Sequence, residues 1–162
     1  MKAVGAKQFG GAQVLEDLEL PVPEAGPGQV RIRVRAAAVN PTDTMLRNGA
    51  AISAWRQNAP PYVPGMEAAG TVERIGEGTR TDLRIGDRVM AVVVPVGSHR
   101  AYAEQIVVAA DSVARSPANA SDVEAATPPM NGLTARLTLD DLRLRPGATV
   151  AVTGSQEPWA DT

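Results

Sequence analysis

Most of the chain alternates between apolar and polar positions. In QVRIRVRAAAV, Val30, Ile32 and Val34 fall on one side and Arg31, Arg33 and Arg35 on the other. That period of two predicts a half-buried strand. Three arginines in a row of alternate positions invite an anion site, but the solvated face of an antiparallel sheet accounts for them without a ligand. GTVERIGEGTRTDLRIGDRVMAVVV reads as two strands, 71–75 and 88–94, with turns at Gly76-Glu77-Gly78 and Gly86-Asp87. The GEG lacks the third glycine of a phosphate loop and has no helical pattern behind it, so it reads as a plain turn. AYAEQIVVAADSVARSP supplies a further strand over 101–108.

Two segments change to the helical period. NPTDTMLRNGA predicts a short helix, with Asn40 as its cap and Pro41 in its first turn. SDVEAAT followed by PMNGLTARLTLDDL predicts a longer helical region. Ser121 and Glu124 have capping-box spacing, and Leu133 and Leu137 share a face. RLRPGATVAVTG then turns at Pro146-Gly147 and enters an apolar strand over 149–152. PPYVPG, residues 60–65, is stiff and extended, because each proline restricts itself and the residue before it. Its Tyr62 either lines a pocket or rides a strand connection. No internal repeat or low-complexity stretch is present.

Length and charge narrow the function. The 162 residues suffice for one domain with a real core and not for two of ordinary size. A net charge of −2 provides no electrostatic footprint for nucleic acid or an anionic membrane. There is no cysteine, which excludes disulfides and thiolate metal ligands. MKAVGAKQFG has no apolar signal-peptide core, and the longest apolar run, VMAVVVPVG, is too short to span a bilayer. A cytoplasmic location is the resulting expectation.

Five stretches change the picture together: AAAVNPTDTMLRNG, PPYVPGMEAAGTVERIGEGTRTDLRIGDRV, AYAEQIVV, NGLTARLTL and RPGATVAVTG. In this order and spacing they resemble the medium-chain dehydrogenase/reductase superfamily, and most of all its zinc-free quinone oxidoreductase (ζ-crystallin-like) branch. The resemblance runs from Met1 to Gly154. It implies a mainly β fold with short helices: a GroES-like β-barrel of the alcohol-dehydrogenase N-terminal type over 1–127, then a linker helix and the first strand of a Rossmann domain over 128–154. It also implies NADPH as cofactor and a small quinone or enone as substrate.

Zinc-dependent members place a cysteine where Asn40 stands and a histidine where Met66 stands. An amide and a thioether are poor zinc donors beside those, and the cysteine-rich structural zinc lobe is missing, so no metal is expected. Glu67 is then read as a structural hydrogen-bonding or ion-pairing group. Without zinc, the chemistry consists of holding the nicotinamide C4 hydride against an electron-poor acceptor. By resemblance, Asn40 and Thr134 face the nicotinamide, Gly154 opens the pyrophosphate turn, and Met45 and Tyr62 border the substrate. The family often has tyrosine at the Met45 position, so this pocket is expected to be more apolar. Asn40 reads equally as a helix cap, and Thr134 as a helix-surface residue. His99, the single histidine, reads as a solvent-exposed loop residue. No Ser-His-Asp set or paired carboxylates present themselves.

The tail departs from the pattern. Relatives continue after the first Rossmann strand with a run like Gly-Ser-Ala-Gly-Ala-Val-Gly-Gly, which lets the backbone approach the pyrophosphate. This chain has Gly154-Ser155 and then QEPWADT over 156–162. Lys2 and Lys7 are the only lysines among many arginines, which points to a GC-rich gene. With GC-ending codons, shifting the frame by one base turns the tail into Gly-Ala-Val-Gly-Gly-Tyr. The expectation is therefore a frameshift truncation near the Ser155–Gln156 junction, leaving an enzyme fragment without turnover of its own. Two other readings stand beside it. One is an interaction module that forms a homo-oligomer, pairs with a full-length paralogue or binds a small molecule. The other is a co-chaperonin-like ring, which rests on fold analogy alone.

Overall fold

The structure, a computed structural model, describes residues 1–50, 59–94 and 100–152. Among the described residues, seven strands lie between Lys2 and Arg115. β1 (Lys2–Gly5) and β2 (Glu16–Glu19) form an antiparallel hairpin. β3 (Gln29–Ala37), β4 (Glu67–Ile75), β5 (Arg88–Val92), β6 (Gln105–Ala109) and β7 (Val113–Arg115) form a second sheet in the order β6-β3-β4-β5-β7, antiparallel throughout. Both sheets are open among the described residues. Backbone bonds from Val4 N–H to the Tyr102 carbonyl (2.8 Å) and from Glu104 N–H to the Lys2 carbonyl (3.0 Å) fasten the hairpin to the larger sheet.

The alternation in β3 has the expected outcome. Val30 and Ile32 are fully buried and pack with Val72, Val89 and Ile106. Arg33 and Arg35 are exposed. On that outer face Glu73 of β4 receives Arg31 Nε (3.2 Å), an ion pair from Arg33 Nη2, and Gln105 Nε2 (3.1 Å). The arginine row is thus a cross-strand charge network of a solvated face.

Burial works against the charge of Glu73, but the hydrogen bonds from Gln105 and Arg33 and the charges of Arg33 and Arg31 outweigh it and hold the carboxyl below its ordinary value. A lowered native value means that the unfolded chain binds the proton first as pH falls. The stabilisation is present above the ordinary carboxylate range and is lost through and below it, from about pH 5 to pH 3. Glu73→Gln is expected to flatten the fall of the urea midpoint over that window. An unchanged slope would show that Glu73 does not carry it.

The register between β3 and β4 shifts between Val34 and Ala36, and Gly70 lies opposite Val34 at that irregularity. The strands are so close there that a β-carbon on Gly70 would stand 2.0 Å from the Arg33 carbonyl oxygen.

The helices also follow their local signals. α1 (Pro41–Asn48) starts after Asn40, which is extended (φ −122°, ψ 156°), and ends at Gly49 in the left-handed region (φ 82°). α2 (Asp122–Ala125) carries the expected capping box: Ser121 N–H donates to Glu124 Oε2 (2.8 Å) and Glu124 N–H to Ser121 Oγ (3.2 Å). Ala125 and Ala126 pack on Ala69 of β4. α3 (Pro128–Leu142) buries Pro129 in its first turn and then runs exposed. Leu133 and Leu137 are on one side of it, and Leu139 and Leu142 on the opposite side, all about half exposed. Among the described residues no helix is long and apolar enough to cross a membrane.

Strand boundaries depart from the sequence reading. β4 starts at Glu67 rather than 71, β5 stops at Val92 rather than 94, and β6 starts at Gln105 rather than 101. Ala101 and Tyr102 instead donate their N–H groups to Gly65 and Pro64. Residues 149–152 form no strand: no described segment pairs with them, and Val152 is 74% exposed.

Candidate active site

The start of β4 places a carboxylate between two helices. Glu67 is 1% exposed. Its Oε1 accepts Asn40 Nδ2 at 3.0 Å, and its Oε2 accepts the Met130 N–H at 2.8 Å. Met130 is the third residue of α3, so its N–H is one of the four a helix leaves unpaired at its start. A carboxylate there also faces the positive end of the helix dipole. Glu67 thereby joins β4, the cap of α1 and the first turn of α3.

A second acidic group lies behind Asn40. Asp43, 4% exposed, accepts Asn40 N–H (2.8 Å) and Tyr102 Oη (3.2 Å) on Oδ2, and Gly65 N–H (2.8 Å) on Oδ1. Arg100, 1% exposed, lies within the field of that carboxylate. Burial depresses its guanidinium to about 10 while Asp43 pulls it back, so it stays charged at neutral pH. Burial, followed by the charge of Asp43 and the hydrogen bond to it, raises the Tyr102 phenol and keeps it a neutral donor.

Of the residues expected at the site, Asn40 is in this network. Met45 is on α1, 44% exposed. Thr134 is exposed on α3, one turn beyond Met130. Tyr62 exchanges backbone bonds with Ala6 (2.8 and 2.9 Å), and its ring stacks on Phe9 with centroids 4.7 Å apart, the geometry of a connection. Gly154 and His99 lie outside the described residues. Met66 is half-buried, and its carbonyl accepts Val93 N–H. Among the described residues no group of three His, Cys, Asp or Glu side chains is placed to hold a metal ion. Val92, opposite Glu67 in the β4–β5 ladder, lines an apolar groove of about 390 Å³ with Met90, Val113, Pro129 and Leu133.

Sequence reasoning missed Asp43, Arg100, Tyr102 and the Met130 N–H. Asp43 had a signal: it stands three residues after the cap Asn40, the position from which a side chain reaches back to the cap N–H. Arg100 had none, because nothing in SHRAYAE distinguishes a buried arginine from a loop arginine.

Among the described residues, an open antiparallel sheet carries an amide bound to a buried carboxylate at a helix start. The chain belongs to the alcohol dehydrogenase GroES-like domain family, whose pattern matches residues 26–118. Its relatives are quinone oxidoreductases and VAT-1-like members of the medium-chain dehydrogenase/reductase superfamily. It is 37% identical over 155 residues to the human synaptic vesicle membrane protein VAT-1 homolog-like, covering 94% of this chain and 35% of that protein. The solved quinone oxidoreductase of Coxiella burnetii superposes with a TM-score of 0.79 at 33% identity, over 91% of this chain and 46% of that one. The Escherichia coli quinone oxidoreductase, solved in complex with NADPH, gives 0.74 at 27% identity, over 88% of this chain and 41% of that one. The chain therefore spans less than half the length of each of these proteins.

Proposed function

We propose that this chain supplies the catalytic-domain wall of an NADPH-dependent, zinc-independent quinone or enone oxidoreductase and does not turn over alone. The observation that carries this is Asn40. It stands where zinc-dependent relatives place a ligand, and its amide is bound to the Glu67 carboxylate at 3.0 Å.

The donors fit the nicotinamide end of NADPH, a neutral ring bearing a carboxamide. Asn40 offers a fixed amide, Thr134 a hydroxyl on an exposed helix, and Met45 an exposed apolar thioether. NADPH, when bound, supplies the hydride. The residues of this chain contribute orientation: Asn40 and Thr134 hold polar edges, and Met45 keeps water from one side of the acceptor.

Two results are expected. The purified chain shows no quinone-dependent NADPH oxidation above background, and NADPH fluorescence titration gives weak binding or none. Steady turnover by the 162-residue chain would overturn the inactivity.

A further inference from the structure

We propose that Glu67 is a positioning residue that decides which end of the Asn40 amide is presented to the site. The proposal rests on the reading that Asn40 faces the nicotinamide. The two ends of an asparagine amide are nearly equal in shape, so packing alone does not choose between them; hydrogen-bond partners do. A carboxylate accepts and does not donate. With Glu67 Oε1 3.0 Å from the amide nitrogen, the NH₂ end must face β4. The capping bonds at the start of α1 hold the Asn40 backbone in place: its N–H donates to Asp43 Oδ2 (2.8 Å) and its carbonyl accepts the Asp43 N–H (2.9 Å). With its nitrogen bound to Glu67, Asn40 has Oδ1 and one remaining N–H for the cofactor or substrate, and the carboxylate fixes where each of them lies.

The same carboxylate holds α3. Its second oxygen accepts the Met130 N–H at 2.8 Å, one turn before Thr134. One buried group therefore fixes both polar residues expected at the nicotinamide. Each oxygen has its own donor, and at 1% exposure no solvent competes for either.

The substitution Glu67→Gln separates this role from simple support of the fold. Glutamine has one acceptor oxygen for two donors. The Met130 N–H is backbone and cannot turn, whereas the Asn40 amide can rotate by half a turn and offer its oxygen to the new NH₂.

The experiment is NMR on the labelled 162-residue chain. In the unsubstituted protein we expect a coupling across the hydrogen bond between Asn40 Nδ2 and the Glu67 carboxylate carbon. In E67Q we expect the Asn40 side-chain pair to shift while the Met130 amide keeps its protection from exchange. An unmoved Asn40 pair in folded E67Q overturns the proposal, as does a missing coupling in the unsubstituted chain. If E67Q does not fold, the coupling decides alone. Adding NADPH at high concentration tests the underlying reading separately. A cofactor-induced shift at Asn40 supports that reading. NADPH-induced shifts at other residues that leave Asn40 unmoved overturn the nicotinamide assignment and leave the orientation result standing.

Discussion

Gly70→Ala is expected to destabilise the domain by about 3 kcal/mol, the upper end of what overpacking costs. The added carbon would stand 2.0 Å from the Arg33 carbonyl oxygen and 3.1 Å from Ile32 Cγ2. The first of these is backbone, which no rotamer change can move. β3 and β4 must separate where the register shifts, in the middle of the sheet and beside the fully buried Ile32. Urea denaturation should show a lower midpoint with an unchanged slope. A midpoint within error of the parent would mean that the strands separate there without cost.

Asp43→Ala should have an effect at least as large, about 3 kcal/mol or more, because each buried donor left without an acceptor costs about 1–3 kcal/mol and Asp43 accepts three. The substitution takes the carboxylate away from Arg100 and leaves Gly65 N–H and Tyr102 Oη without their acceptor. A second substitution, Arg100→Met, should restore part of the loss, because it removes the buried charge along with its cost. No recovery in the double variant would show that the hydrogen bonds, and not the charge, carry the effect. Typical domains have about 5–15 kcal/mol in total, so either single variant leaves a marginal fold.

Elements whose causes are local were legible in the sequence. The period of β3, the Asn40–Pro41 start of α1 and the Ser121–Glu124 capping box are each written within a few residues. What depends on distant partners was not. EAAG at 67–70 reads as a poor strand because its residues are small. They are small because Ala125 and Ala126 cover Ala69 on one side and Arg33 crosses Gly70 at close range. AYAE at 101–104 has strand character, but its N–H groups go to Gly65, Pro64 and Lys2. The apolar pattern of 149–152 specifies a strand only where neighbours exist to pair with it, and none of the described segments does so.

The candidate site divides in the same way. Asn40 and Glu67 were named, but the bond between them spans 27 positions, and the third member is a backbone N–H with no side-chain signature.

The strand order has a consequence for how this chain is made. β3 is complete only when β6 lies against it, with Gln29 opposite Ala109, and β5 only when Arg115 has reached Val89. A ribosome adding about 5–20 residues per second needs on the order of ten seconds to get that far. From the synthesis of Ile32 until that of β6, Val30 and Ile32 lack the cover of Ile106. The nascent chain is therefore exposed to chaperone capture from the synthesis of β3 until that of β7, and the sheet forms late and as a unit.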